Sequence, residues 1–141
     1  MFKRRNEKSR REYHLLKLTY RCQSAEELCE KAVSLVGCPV YWKPCRVLLL
    51  GKPGFSAKKA SFYLIGYKPT TYLSIQHTIL HELGHIVLGH HEARDTEEID
   101  IEQEAEDFGY QLLVAVHGVG AFLSTSKNPS VAARYESLMS L

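Results

Sequence analysis

The sequence has no long run of apolar residues. No stretch approaches the ~20 residues that a helix needs to cross a bilayer, and residues 2–14 are charged where a secretory signal peptide would be apolar. We therefore expect a cytoplasmic protein without a membrane span. The 141 residues match one ordinary domain, and a hydrophobic content of 45% is enough to form a core.

Cysteine is scarce, and its spacing does not match the usual small zinc motifs. The four cysteines contain no C-x-x-C pair; they are Cys22, Cys29, Cys38 and Cys45. A disulfide framework is not expected without an exporting context, so we predict free thiols.

The basic N-terminus lacks the interleaved aromatic residues that would suggest a nucleic-acid-binding segment. Lysine and arginine crowd the first eleven positions. We predict a flexible basic tail over residues 1–12 and no direct binding of nucleic acid. Residues 13–141 contain no internal repeat and no low-complexity linker, which predicts a single domain.

Helix start and stop signals recur along the chain. Ser24 and Glu27 form a capping box before an amphipathic segment, and Gly37 ends that helix. A second helix is predicted to begin at Thr71 or Ser74 and to end near Leu88. Further helices are predicted over Glu98–His117 and Pro129–Leu141.

Residues that favour β-strands are concentrated between positions 40 and 67. We predict a short extended piece at Val40–Trp42, strands at Arg46–Leu50 and Ser61–Tyr67, and a loop over 51–59. Residues 72–75 fit either a third strand or the first helical turn. The pattern predicts an α+β fold with a small, mainly antiparallel sheet of about three strands packed on helices.

The main chemical motif is H-E-x-x-H, formed by His81, Glu82 and His85. Residues four apart lie on one helix face, so both imidazoles can bind one metal ion, and the glutamate can act on a water molecule beside it. The surrounding positions are apolar around most of the helix. Polar groups in such a frame are costly unless a metal or hydrogen bonds satisfy them.

Two segments offer a third ligand. His91 has the spacing of the elongated H-E-x-x-H-x-x-G-x-x-H motif, but Leu88 stands where that motif needs glycine. Glu102 is the preferred third ligand, and Glu104 and His91 are the two fallbacks. Glu106 shares a face with Glu102 and is predicted to accept the free ring N–H of a ligand histidine.

The sequence HELGHIVLGHH, followed by the E-x-x-A-x-x-F pattern of Glu102, Ala105 and Phe108 and by Leu112-Leu113, resembles the ImmA/IrrE family of small zinc metallopeptidases. The resemblance covers roughly residues 24–116. It implies a minimal zincin-like metallopeptidase domain in which Glu102 ligates zinc. It also implies a bacterial or phage-borne cytoplasmic regulator that cleaves or inactivates a helix-turn-helix repressor of the XRE type.

The motif and the resemblance together predict a Zn²⁺-dependent endopeptidase in which Glu82 is the general base. The candidates for stabilising the transition state are Tyr72, His77, Tyr110 and His117. The strand Ser61–Tyr67 is predicted to hold substrate by strand addition if it lies at a sheet edge. The alternative is a catalytically inactive zinc-binding module that sequesters its partner.

Overall fold

The computed structural model describes residues 2–46, 51–92 and 98–121, with an α+β arrangement of helices and a small sheet. The elements, in chain order, are α1 (Phe2–Leu18), α2 (Ala25–Val36), β1 (Val40–Pro44), β2 (Gly54–Lys58), β3 (Tyr63–Tyr67), α3 (Tyr72–Val87) and α4 (Glu98–His117). The predicted helix over 129–141 and most of the predicted strand over 46–50 lie outside the described residues.

The sheet is mixed, so the prediction of a mainly antiparallel sheet is wrong. Its strand order is β1-β3-β2, with β3 parallel to β1 and antiparallel to β2. The segment predicted as a loop over 51–59 contains the edge strand β2. The central strand is β3, which we had considered as a substrate-binding edge. β3 is central because it forms a hairpin with β2 on one side and pairs with β1 on the other.

The helices begin and end at the predicted signals. Ser24 accepts a hydrogen bond from the backbone N–H of Glu27 at 3.2 Å, and Gly37 ends α2 with a φ of 81°. Thr71 caps α3 in the same way by accepting from the N–H of Ser74. Residues 72–75 therefore form the first turn of α3 and not a strand.

The N-terminal segment is helical from Phe2 to Leu18, where we had predicted a flexible tail through residue 12. Two basic side chains of α1 contact the site-bearing helices: Lys8 Nζ lies 3.1 Å from Glu104 Oε1, and Arg11 Nη1 lies 3.5 Å from the carbonyl oxygen of Val87. Leu15 is fully buried in the core. These tertiary contacts, which the charged sequence of α1 does not reveal, stabilise the helix.

The core lies between the sheet and the helices and is continuous with α3. Ten of the sixteen residues of α3 are buried, including Leu80, Leu83 and Val87. The helix that carries the H-E-x-x-H motif is therefore packed into the core along most of its length. Over residues 2–46, 51–92 and 98–121, no helix combines the length and apolar character that a membrane span requires.

Candidate metal centre

Two helices bring three predicted ligands together. His81 and His85 project from one face of α3, and Glu102 reaches them from the first half of α4. Glu102 Oε2 lies 3.3 Å from His81 Nε2, and Glu102 Oε1 lies 3.1 Å from His85 Nε2. One ligand atom from each residue fits within 4.8 Å of the others, so this group could hold a metal ion.

Small residues allow the two helices to approach this closely. A Cβ atom added at Gly109 of α4 would lie 3.1 Å from His81 Cα and 3.3 Å from His81 N. Ala105, one turn earlier, is fully buried. Ala105 and Gly109 are therefore the positions at which the two helices pack most closely.

The donor atoms of this group suit a divalent metal ion, and one of the two imidazoles is already free of a competing proton. Burial and the neighbouring His81 lower the pKa of His85 to about 4, so this imidazole is neutral at pH 7. Its Nε2 faces the carboxylate of Glu102, and two acceptors at that distance repel unless a proton or a cation lies between them. Two imidazoles and one carboxylate, with room for a further ligand, match the donor set of a catalytic zinc site.

Glu106 lies on the far side of His81 from Glu102. Its Oε2 is 3.3 Å from His81 Nδ1, and its Oε1 is 3.1 Å from His77 Nε2. Among the described residues, the buried His81 Nδ1 has no partner aligned for a hydrogen bond, and Glu106 Oε2 is a carboxylate oxygen within reach of a proton there. Burial raises the pKa of Glu106, but His77 and His81 outweigh it and hold that pKa far below its usual value.

Glu82 is the general-base candidate and is 8% exposed. Burial raises its pKa above the usual value, although His81 partly opposes this shift. A raised pKa makes the carboxylate a stronger base, as proton abstraction requires. A Cβ added at Gly54 would lie 2.3 Å from Thr78 Cγ2 and 3.8 Å from Glu82 Cγ, so glycine lets β2 pack directly beside this part of α3.

An open cleft of about 520 Å³ contains these groups. One wall is formed by residues 52–56, at the start of the edge strand β2. The opposite wall is formed by α3 and α4 and includes the three ligand candidates, Glu82 and His77. A peptide lying in this cleft would contact both the strand and the ligand group.

The two fallback ligands have other partners. Glu104 Oε1 lies 2.6 Å from His90 Nε2 and 3.1 Å from Lys8 Nζ. His91 Nε2 forms a hydrogen bond of 2.9 Å with Ser56 Oγ. Neither residue belongs to the group of converging ligand atoms. The helical spacing explains this for Glu104, because residues two apart on a helix point in different directions.

Of the four candidates for transition-state stabilisation, His77 lines the cleft and the others do not. Tyr110 stacks on His77 with 4.5 Å between ring centroids, while Tyr72 is 58% exposed and packs edge-on against His117. His117 Nε2 lies 2.7 Å from Gln76 Oε1. Its ring is thus held by a buried amide and not by the site.

His90 and the wall at residues 52–56 are the parts of the site that sequence reasoning missed. A histidine just beyond a helix end is ordinarily solvated, yet the side chain of His90 is 3% exposed. Its Nδ1 lies 2.8 Å from Nδ1 of His85. The signal in the sequence is Gly89, whose φ of 77° turns the chain so that His90 folds back toward α3.

Comparisons with protein-family models, with curated proteins and with solved structures found no match to this chain.

Proposed function

We propose that the protein is a zinc-dependent endopeptidase. The observation that carries this proposal is the convergence of His81, His85 and Glu102 in an open cleft that also contains the buried carboxylate of Glu82. A structural zinc site is usually closed and rich in cysteine, and it has no use for an additional glutamate. The described cysteines lie elsewhere, and none lines the cleft.

Zinc, when bound, would polarise a scissile carbonyl and lower the pKa of water toward neutrality. The side chains around it have separate tasks. Glu82, with its raised pKa, accepts the proton of the attacking water and returns it to the leaving amine. His77 is the one of the four oxyanion candidates that lines the cleft; its Nε2 faces the Glu106 carboxylate at 3.1 Å, so it would have to leave Glu106 to donate a hydrogen bond to the developing oxyanion.

The edge strand β2 offers the most direct way to hold a peptide. Within the described residues it pairs on one side only, with β3, and its first residues form a wall of the cleft. An extended peptide that paired with the free side would run past the ligand group. This assigns to β2 the role that we first considered for Ser61–Tyr67.

The substrate that we propose is a helix-turn-helix repressor of the XRE type, as the resemblance to the ImmA/IrrE family implies. The alternative is a module that binds such a repressor without cleaving it. The two functions differ at Glu82, because sequestration needs the fold and the metal but not the general base.

The test is to incubate the zinc-loaded protein with a repressor encoded beside its gene and to search for a single cut by intact-mass analysis. Glu82→Gln should keep zinc binding and lower the cleavage rate by about 10²- to 10⁴-fold. Asp107→Asn is the matched control, because it removes one exposed carboxylate from α4 outside the cleft. A stable complex without a cut would favour sequestration, and full activity of Glu82→Gln would exclude the proposed base.

A further inference from the structure

We propose that His90 and Glu104 are positioning residues for the metal ligand His85. They form a relay, His85–His90–Glu104, that places a proton on Nδ1 of His85 and leaves its Nε2 free for the metal. This inference rests on the proposed zinc site and adds two residues to it that are not ligands.

The relay is continuous in space. Nδ1 of His85 lies 2.8 Å from Nδ1 of His90, and Nε2 of His90 lies 2.6 Å from Oε1 of Glu104. Both distances are within hydrogen-bonding range. The relay therefore runs from the inner face of α3 to a carboxylate on α4.

The carboxylate determines where the protons lie. Glu104 is an acceptor only, so the nitrogen that faces it, Nε2 of His90, must carry a proton. A neutral His90 then has its lone pair on Nδ1, which must accept from Nδ1–H of His85. A neutral His85 with this proton has its lone pair on Nε2, the atom that faces Glu102.

The opposite arrangement of protons is unfavourable. If His85 carried its proton on Nε2, then Nδ1 of His90 would have to donate to His85. The lone pair on Nε2 of His90 would then face the Glu104 carboxylate at 2.6 Å. This repulsion would exceed the one between the lone pair on His85 Nε2 and Glu102 in the metal-free protein. The contact with Glu102 is longer, at 3.1 Å, and the Glu102 side chain is more exposed than that of Glu104, 57% against 40%, so water screens it better.

The backbone holds His90 in place independently of the relay. The turn at Gly89 allows the N–H of His90 to donate to the carbonyl oxygen of His85 at 3.0 Å. The same two residues are thus joined through both backbone and side chains. This double contact orients the His85 ring and fixes its tautomer, which is how outer partners strengthen metal sites.

Lys8 forms the outer end of the relay. Its Nζ lies 3.1 Å from the same oxygen of Glu104 that faces His90. The ammonium group favours the ionised form of Glu104, which the relay needs. Both side chains of this pair are partly exposed, 23% for Lys8 and 40% for Glu104, so water weakens the interaction and we assign Lys8 a supporting role.

The test is zinc affinity, measured by competition with a chromophoric chelator on the full-length protein. His90→Phe should weaken zinc binding by about 10- to 100-fold. His90→Gln should lie closer to wild type, because its amide can accept from His85 and donate to Glu104. Glu104→Gln should also weaken binding, because an amide can donate as well as accept and no longer enforces one tautomer. His14→Gln and Asp107→Asn, both at exposed positions, are the controls.

A second measurement observes the tautomers directly. In ¹⁵N-labelled imidazole spectra, we expect the proton on Nδ1 of His85 and on Nε2 of His90, with and without zinc. Wild-type zinc affinity in both His90→Phe and Glu104→Gln, or the reverse tautomers, would overturn the relay. If His90→Phe does not fold, the zinc affinity of Glu104→Gln and the imidazole spectra of the wild type test the relay instead. If the wild type binds no zinc, the proposed function fails, and the spectra of the metal-free protein still test the relay.

Discussion

His81 and His85 occupy the same helix face, yet their environments shift their pKa values in opposite directions. The pKa of His85 is lowered to about 4, first by burial and then by His81. Burial also lowers the pKa of His81, but Glu106, Glu82 and Glu102 outweigh it and raise the net value. At neutral pH His85 is therefore free to bind a metal, whereas protons compete for His81.

This difference predicts how zinc affinity depends on pH. His81 must lose its proton to bind zinc, so affinity should fall as pH decreases below its raised pKa, by about tenfold per pH unit between roughly pH 6 and 5. The measurement is a chelator competition, corrected for protonation of the chelator. Glu106→Gln removes one cause of the raised pKa and should shift the decline to lower pH. An affinity that stays constant over this range would contradict the prediction.

Single residues also show where sequence reasoning succeeded and where it stopped. Helical spacing placed His81 and His85 on one face, and the structure brings Glu102 to them. Spacing alone had left Glu104 and His91 open as the third ligand. Gly89 indicated a turn but not which of the two following histidines it points inward; the structure buries His90 and leaves His91 exposed. Adjacent identical residues give no pattern from which to choose.

At the level of elements, the contact between α3 and α4 determines the site. Each helix contributes one glycine to it, but the two positions differ. A Cβ at Gly84 would meet its nearest neighbour, the carbonyl oxygen of Ala105, at 3.5 Å, which is ordinary contact. A Cβ at Gly109 would lie 3.1 Å from His81 Cα and could be accommodated only by moving backbone.

We therefore expect opposite results from two alanine substitutions. Gly109→Ala should lower the free energy of unfolding by about 1–3 kcal/mol and weaken zinc binding, because overpacking separates the helices. Gly84→Ala should be neutral or stabilise by up to about 1 kcal/mol, because alanine favours the helix. Chemical denaturation and zinc titration of both variants provide the measurement. Equal effects of the two substitutions would show that the interface is not tight at His81.

The elements differ in how well the sequence predicted them. The bounds of α4 were predicted as the structure has them, and those of α2 followed from Ser24 and Gly37, since capping and periodicity are local properties. The strand β2 was missed because Gly54–Lys58 combines a glycine with flanking lysines and resembles a loop. Its conformation comes from pairing with β3, and the parallel pairing of β1 comes from the path of the whole chain.

At the level of the whole molecule, a metal ion would join two helices that are separate in sequence. It would bind the folded protein and not the unfolded chain, in which His81, His85 and Glu102 are apart. Zinc at 100 times its dissociation constant should therefore raise the free energy of unfolding by about 2.7 kcal/mol, and a chelator should remove this gain.

The comparison of two neighbouring substitutions tests this linkage. Glu102→Ala should unfold at the same temperature with zinc as with chelator. Gln103→Ala, an exposed neighbour on the same helix, should keep the full rise in melting temperature with zinc. Calorimetry in both conditions measures the difference. A zinc-dependent rise in Glu102→Ala would show that the stabilising metal lies elsewhere.

The order of the glutamates along α4 limits how this site can be altered or moved to another protein. Glu102 and Glu106 share a face and both approach His81, whereas Glu104 between them contacts His90. A one-residue insertion upstream in α4 would rotate all three by about 100° and disrupt every one of these contacts at once. A single substitution in α4 removes one of these contacts, whereas a change of helical phase removes them together. A transplanted site would therefore need the acidic stretch and the histidine helix to be moved as one block.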